Sequence, residues 1–127
     1  MRFPALSLAC LLVFAAESFP PAEVEILGDI DYGQTSDPLV CSGKQKYCSV
    51  VFNGMSGDRV QVQGRNEGAD KPFVAVADGS LKELARGSGE VTATLPEVTD
   101  KLATYYIVFR DPSGKPGKFT IQLNKTK

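Results

Sequence analysis

The chain of 127 residues is long enough for one domain, and its 14 Lys and Arg against 15 Asp and Glu give a net charge of −1. Those charges are evenly spread, with no basic patch interleaved with aromatics, so a nucleic-acid role has no electrostatic footprint. Histidine is absent, which excludes Ser-His-Asp and Cys-His nucleophilic catalysis and most zinc and copper sites.

Residues 1–16 read as a secretory signal peptide. Met1-Arg2 supplies a short positive end, and residues 5–16 form an apolar run of 12 residues, too short for a membrane anchor. Val13 and Ala15 suit the −3 and −1 positions, placing cleavage near Ala15 or Ala16. Cys10 lacks the apolar residue three positions earlier that a lipobox requires. Residues 17–22, with Pro20-Pro21, are expected to be a linker, and 23–125 a single secreted or periplasmic domain. Cleavage after Ala16 removes Arg2 and no acid, leaving a net charge of −2.

In 23–32, Val24, Ile26, Gly28, Ile30 and Tyr32 alternate with mostly acidic residues, which predicts a strand with one apolar face, bent at Gly28. Residues 33–43 form a loop of turn formers. Two cysteines remain after processing, Cys41 and Cys48, and an even count in an oxidising compartment implies a disulfide. Without histidine, the pair makes half a zinc site at best.

Residues 46–52 predict a strand, 53–58 a turn, and 59–63 a strand with Val60 and Val62 inward. Residues 64–71 read as a polar, mobile loop. The apolar run 73–77 predicts a central strand covered on both faces. Asp78-Gly79 then turns the chain into a strand at 81–86, giving a hairpin. Residues 90–95 alternate again, and 97–101 form a bridge with one helical turn. The period of two on both sides of Asp111-Pro112-Ser113-Gly114 predicts a final antiparallel hairpin over 104–123.

About eight short strands with turn signals every eight to twelve residues indicate an all-β fold, an antiparallel β-sandwich with a jelly-roll-like connection. Three stretches together resemble bacterial pre-peptidase C-terminal domains. Residues 52–62 (FNGMSGDRVQV) are similar to their turn, Gly-Asp and alternating strand. Residues 73–85 (FVAVADGSLKELA) are similar to their hairpin. Leu95-Pro96, Tyr105-Tyr106-Ile107-Val108 and Gly117-Lys118-Phe119-Thr120-Ile121 are similar to their closing strands. The resemblance spans residues 31–123 and implies a jelly-roll-like sandwich, usually attached to secreted enzymes. It also implies that some members bind insoluble polymers such as collagen or polysaccharide, occasionally with calcium.

No catalytic constellation is visible. Two carboxylates on different strands could meet in space, as glycoside hydrolysis requires, but Asp29 and Asp31 lie on the outward side of their strand. No cofactor is expected except that calcium, which needs only oxygens, stays open. Asp58, Asp70, Asp78, Asp100 and Asp111 all sit in turns. Asp58, Asp78 and Asp111 are the calcium candidates, and turn aspartates have a competing role in bonding their own backbone.

Exposed aromatics can serve polymer binding. With Tyr105, Ile107 and Phe109 inward, Tyr106 and Arg110 share the outward face and are the candidate ligand residues; a competing role for Tyr106 is packing on a neighbouring loop or strand. Gly57, Gly79 and Gly117 are structural turn residues. The expected function is a non-catalytic binding module of the cell envelope or extracellular space, facing an insoluble polymer or a protein surface. The alternative is a protein-binding accessory subunit or enzyme inhibitor acting through the stapled loop 33–48, because a constrained loop loses less entropy on binding. Neither nucleic acid nor a membrane span after processing is expected.

Overall fold

A computed structural model describes residues 18–67, 71–96 and 102–126. The predicted signal peptide, the 97–101 bridge, Asp70 and Asp100 lie outside the described residues.

The chain forms a sandwich of two five-stranded sheets. The ten strands among the described residues are β1 (Val24–Asp29), β2 (Gln34–Thr35), β3 (Leu39–Cys41), β4 (Tyr47–Met55), β5 (Arg59–Asn66), β6 (Phe73–Ala77), β7 (Glu83–Ser88), β8 (Glu90–Thr94), β9 (Leu102–Arg110) and β10 (Gly117–Lys125). The first sheet runs β1-β4-β9-β6-β7. The second runs β2-β10-β5-β8, with β3 also pairing β10. The two strands beyond the expected eight are β2 and β3, which sit in the stretch read as loop. Their pairings with β10 are short, and their residues show no alternating pattern to announce them.

The final hairpin is not formed. β9 belongs to the first sheet and β10 to the second, so residues 111–116 arch across the sandwich. Phe109 and Phe119, on either side of that arch, meet across the core as tilted rings with centroids 5.1 Å apart. The connection at 78–82 does return the chain as a hairpin, with β6 antiparallel to β7. It is longer than a tight turn, and Leu81 within it is buried at φ 63°. That left-handed conformation is rare for a branched side chain. The Asp78 carboxylate holds it in place, accepting from the amides of Ser80 and Lys82.

β1 departs from the expected alternation and from the all-antiparallel expectation. It pairs parallel with β4, and a bulge between Ile26 and Gly28 shifts its register. An extra residue reverses every side chain beyond it. Val24 therefore packs outside the first sheet, Ile30 and Tyr32 pack inside it, and Ile26 is left exposed.

The core between the sheets contains Val50, Phe52, Val60, Val62, Val74, Val76, Ile107, Phe109, Phe119, Ile121 and Leu123. β5 is longer than expected and takes in residues 64–66, which had read as mobile loop. Gly64 continues the inward face of Val60 and Val62, and an added Cβ there would stand 2.9 Å from Val74. The strand looked polar because its third inward position has no room for a side chain.

A second, smaller cluster lies on the outer face of the first sheet, built from Phe19, Val24, Ala75, Ala77, Leu81 and Val108. It explains why β6 is covered on both faces, as its continuous apolar run predicts. Residues 18–22 are not a free linker. Ser18 bridges to Lys82, the Phe19 amide donates to the Leu81 carbonyl at 2.9 Å, and the Phe19 ring is buried.

Cys41 and Cys48 form the expected disulfide. Because β3 lies in the second sheet and β4 in the first, the bond staples the two layers together. The stretch leading into the bond, residues 34–41, is anchored through β2 and β3 to β10.

Candidate functional site

The outer face of the first sheet carries a row of side chains set by strand register. Cys48 pairs with Phe109 and Phe73 with Arg110, so Arg110 of β9 lies between Tyr47 on β4 and Phe73 on β6. Across this row the Tyr47 and Phe73 rings approach to 6.0 Å, and Phe19 closes one side at 5.0 Å from Tyr47 and 6.3 Å from Phe73. Phe19 is buried, whereas Tyr47, Phe73 and Arg110 are half-buried. With Arg86 and Pro112 they line a notch of about 230 Å³.

Each arginine faces a ring. The Arg110 guanidinium carbon lies 5.6 Å from the centre of Tyr47, and that of Arg86 lies 5.1 Å from the centre of Phe73. Such contacts attract through the ring quadrupole and hold the guanidinium plane against the ring. Arg86 is also bound in bidentate fashion to Glu83, at 2.8 and 2.6 Å. Arg110 differs. Its Nε donates to the Asp111 carbonyl at 3.2 Å, and among the described residues no carboxylate pairs with it. The Lys46 ammonium lies 5.6 Å from the centre of the Tyr47 ring, adding positive charge beside the notch.

Of the two residues singled out from sequence, only Arg110 belongs to this notch. Tyr106 shares its face but sits four residues earlier, roughly 13 Å away at the strand rise. It packs against the Phe19 cluster, the competing role the sequence allowed. Tyr47, Phe73, Arg86 and Phe19 were not legible as site residues. Their convergence depends on long-range strand order, which leaves no local pattern.

The turn aspartates are engaged by donors of their own neighbourhoods. Asp58 is buried, and its Oδ2 accepts from the Tyr32 hydroxyl at 2.7 Å and the Met55 amide at 3.0 Å; Lys125 stands 3.5 Å from Oδ1. Burial pushes the Asp58 carboxyl up, but the Tyr32, Met55 and Lys125 donors outweigh it and hold it below its ordinary value. Burial and the Asp58 charge push the Tyr32 phenol well above its ordinary value. Asp111 accepts from the amide and hydroxyl of Ser113 and, at 2.9 Å, from Asn66. Those Ser113 bonds lead the lowering of its carboxyl. Asp78 serves its own loop, as described. Among the described residues no three His, Cys, Asp or Glu side chains converge as a metal cluster.

Gly57 adopts φ +86° in the turn before β5. Gly79 and Gly117 are needed for closeness instead, since added Cβ atoms would stand 3.3 Å from the Thr104 carbonyl and 3.2 Å from Asn66. Beside the stapled loop, a wider cleft of about 650 Å³ runs along Val40, Ser42, Glu67, Lys115 and Lys118. Val40 is 61% exposed there. No helix among the described residues is long and apolar enough to cross a membrane.

The architecture is that of a known class of β-sandwich. The structure superposes on the pre-peptidase C-terminal domain of collagenase from Bacillus anthracis with a TM-score of 0.54, covering 84% of this chain and all of that one. The chain has a pre-peptidase C-terminal fold. Sequence identity over the match is 15%, so the likeness concerns fold alone. A periplasmic inhibitor of g-type lysozyme from Aeromonas hydrophila is similar at a TM-score of 0.49 and 12% identity, covering 81% of this chain and 99% of that one. No protein-family model matches the chain, and no curated protein does.

Proposed function

We propose that the protein is a secreted, non-catalytic binding module that holds an extracellular polymer at the Tyr47–Arg110–Phe73 notch. The observation that carries this reading is the notch itself: two half-buried rings with a guanidinium on each, on the outside of a sheet. Aromatic rings offer flat apolar area at little ordering cost, and arginine offers a planar fork of donors. Their backbone platform is rigid, because β4, β9 and β6 each have paired strands on both sides. Calcium has no part in this reading.

Sedimentation of the mature protein with peptidoglycan, chitin, cellulose and collagen tests it. Saturable co-sedimentation with at least one polymer is expected, weakened by Tyr47→Leu and Phe73→Leu, which keep apolar bulk beside Phe19. Absence of sedimentation with all of them sinks the polymer reading. Binding that survives both substitutions moves the site elsewhere.

A second reading keeps the stapled loop as a protein contact, because Val40 stands exposed beside its cleft. Val40→Asp would abolish such a contact and leave binding at the notch unchanged.

A further inference from the structure

The two arginines of the notch are in different electrostatic states, and that difference points to the ligand. Arg86 already holds a carboxylate, the bidentate Glu83. Arg110 is half-buried beside the Tyr47 ring, and among the described residues its bond to an acceptor runs from Nε to the backbone carbonyl of Asp111. The Asp111 carboxylate next to it is turned away, towards Ser113 and Asn66. The arch fixes this arrangement. Gly114 adopts φ +80°, and a Cβ on it would stand 2.9 Å from an Arg110 terminal nitrogen. A guanidinium that is partly removed from water, oriented by its Nε and paired with no carboxylate among the described residues is a receptor for a planar anion.

We infer that Arg110 receives the carboxylate of an acidic saccharide, a uronate-type pyranose whose ring lies against Tyr47 and Phe73. This rests on the binding-module reading above and names its ligand class. The volume of about 230 Å³ suits one ring of a chain and lies below the ~300–1,000 Å³ of pockets that enclose a whole small molecule.

An acidic peptide fits less well. Peptides that dock on sheets draw affinity from an open strand edge. Here β4 lies between β1 and β9, β9 between β4 and β6, and β6 between β9 and β7. No edge opens into the notch, so a peptide backbone would stay bonded to water. A sugar needs no such edge. Its C–H face meets the rings, its hydroxyls remain in solvent, and its carboxylate reaches the guanidinium of the notch that no described carboxylate pairs with.

The test is binding of soluble polygalacturonate, its fully methyl-esterified form and a poly-glutamate peptide, by calorimetry at low salt. The proteins are the wild type, Arg110→Gln and Arg110→Lys, each checked for an unchanged melting transition. The proposal expects binding of polygalacturonate, at least tenfold weaker binding of the ester, and at least a tenfold loss in Arg110→Gln. Arg110→Lys should fall between, since lysine keeps the charge and loses the planar fork. Equal affinity for acid and ester, or undiminished binding by Arg110→Gln, would overturn it. So would tighter binding of poly-glutamate than of polygalacturonate. Should polygalacturonate fail to bind while an insoluble polymer still sediments the protein through Tyr47 and Phe73, the ligand class is wrong and the binding-module reading stands. Failure of every polymer removes both.

Discussion

Asp58 should be the most pH-sensitive support of the fold. Its carboxylate is 9% exposed and accepts two hydrogen bonds, from the Tyr32 hydroxyl and the Met55 amide, with Lys125 at 3.5 Å. Asp58→Ala strands the part-buried Met55 amide and the half-buried Tyr32 phenol. Hydrogen bonds to a charged group contribute about 1.5–3 kcal/mol each, and the Lys125 contact adds little because that side chain is largely exposed. The expected loss is about 3 kcal/mol at pH 7. Tyr32→Phe removes one of the two bonds and should cost about 1–2 kcal/mol, with a coupling of about 1–2 kcal/mol in the double-mutant cycle. The sign with pH follows from the lowered carboxyl. A group whose native pKa is depressed stabilises fully above its unfolded value, here about 3.8, and its contribution disappears as pH falls through the lower native value. The raised Tyr32 phenol works in the opposite sense. Its contribution is present below its ordinary value near 10 and is lost as pH rises beyond that. Urea denaturation from pH 2 to pH 11 reads both limbs. Wild type and Asp58→Asn should differ most at neutral pH and converge at the acid end. A gap between them that is independent of pH, or a coupling near zero, would refute this account of the network.

Replacing both cysteines with alanine should cost about 2–3 kcal/mol on the chain-entropy account of so short a loop, measured by urea midpoint under non-reducing conditions. Polymer binding at the notch should survive in the folded fraction, because Arg110 and Phe73 lie on other strands and Tyr47, although next to Cys48, stays held by the pairing of β4 with β1 and β9. Gly54→Ala should destabilise by about 1–3 kcal/mol, since its Cβ would stand 2.5 Å from Leu95 and 2.7 Å from the Tyr32 hydroxyl; Tyr32→Phe should relieve part of that loss, as a double-mutant cycle would show. Phe19→Ala should lower the thermal midpoint, and hydrogen exchange should rise at the Phe19 amide and along residues 78–82, where the N-terminal segment is pinned. Unchanged exchange there would mean that the segment does not depend on its ring.

The difference between what the sequence disclosed and what it withheld has a geometric cause. A period of two reports which side chains of a strand face the core; it does not report which strand lies beside it. For β5, β8, β9 and β10 the inward sets, such as Val60 with Val62 and Phe119 with Ile121 and Leu123, follow directly from alternation. The hairpin expected over 104–123 failed for the same reason. Two strands joined by a tight turn in one sheet and two strands joined by an arch across a sandwich both point their apolar faces inward, so the patterns are identical. The distinguishing signal is in the connection. Six residues with two prolines, Pro112 and Pro116, are long for a hairpin and sufficient to cross the roughly 10 Å between packed sheets. The notch inherits that arch. Arg110 is its first flank, and a tight β9–β10 hairpin would have seated β10, not β6, beside Arg110. Phe73 could then not have joined Tyr47 in the notch. The binding site proposed here thus depends on the one connection whose strands look alike in either topology, which is why its outward residue Arg110 was legible and its aromatic walls were not.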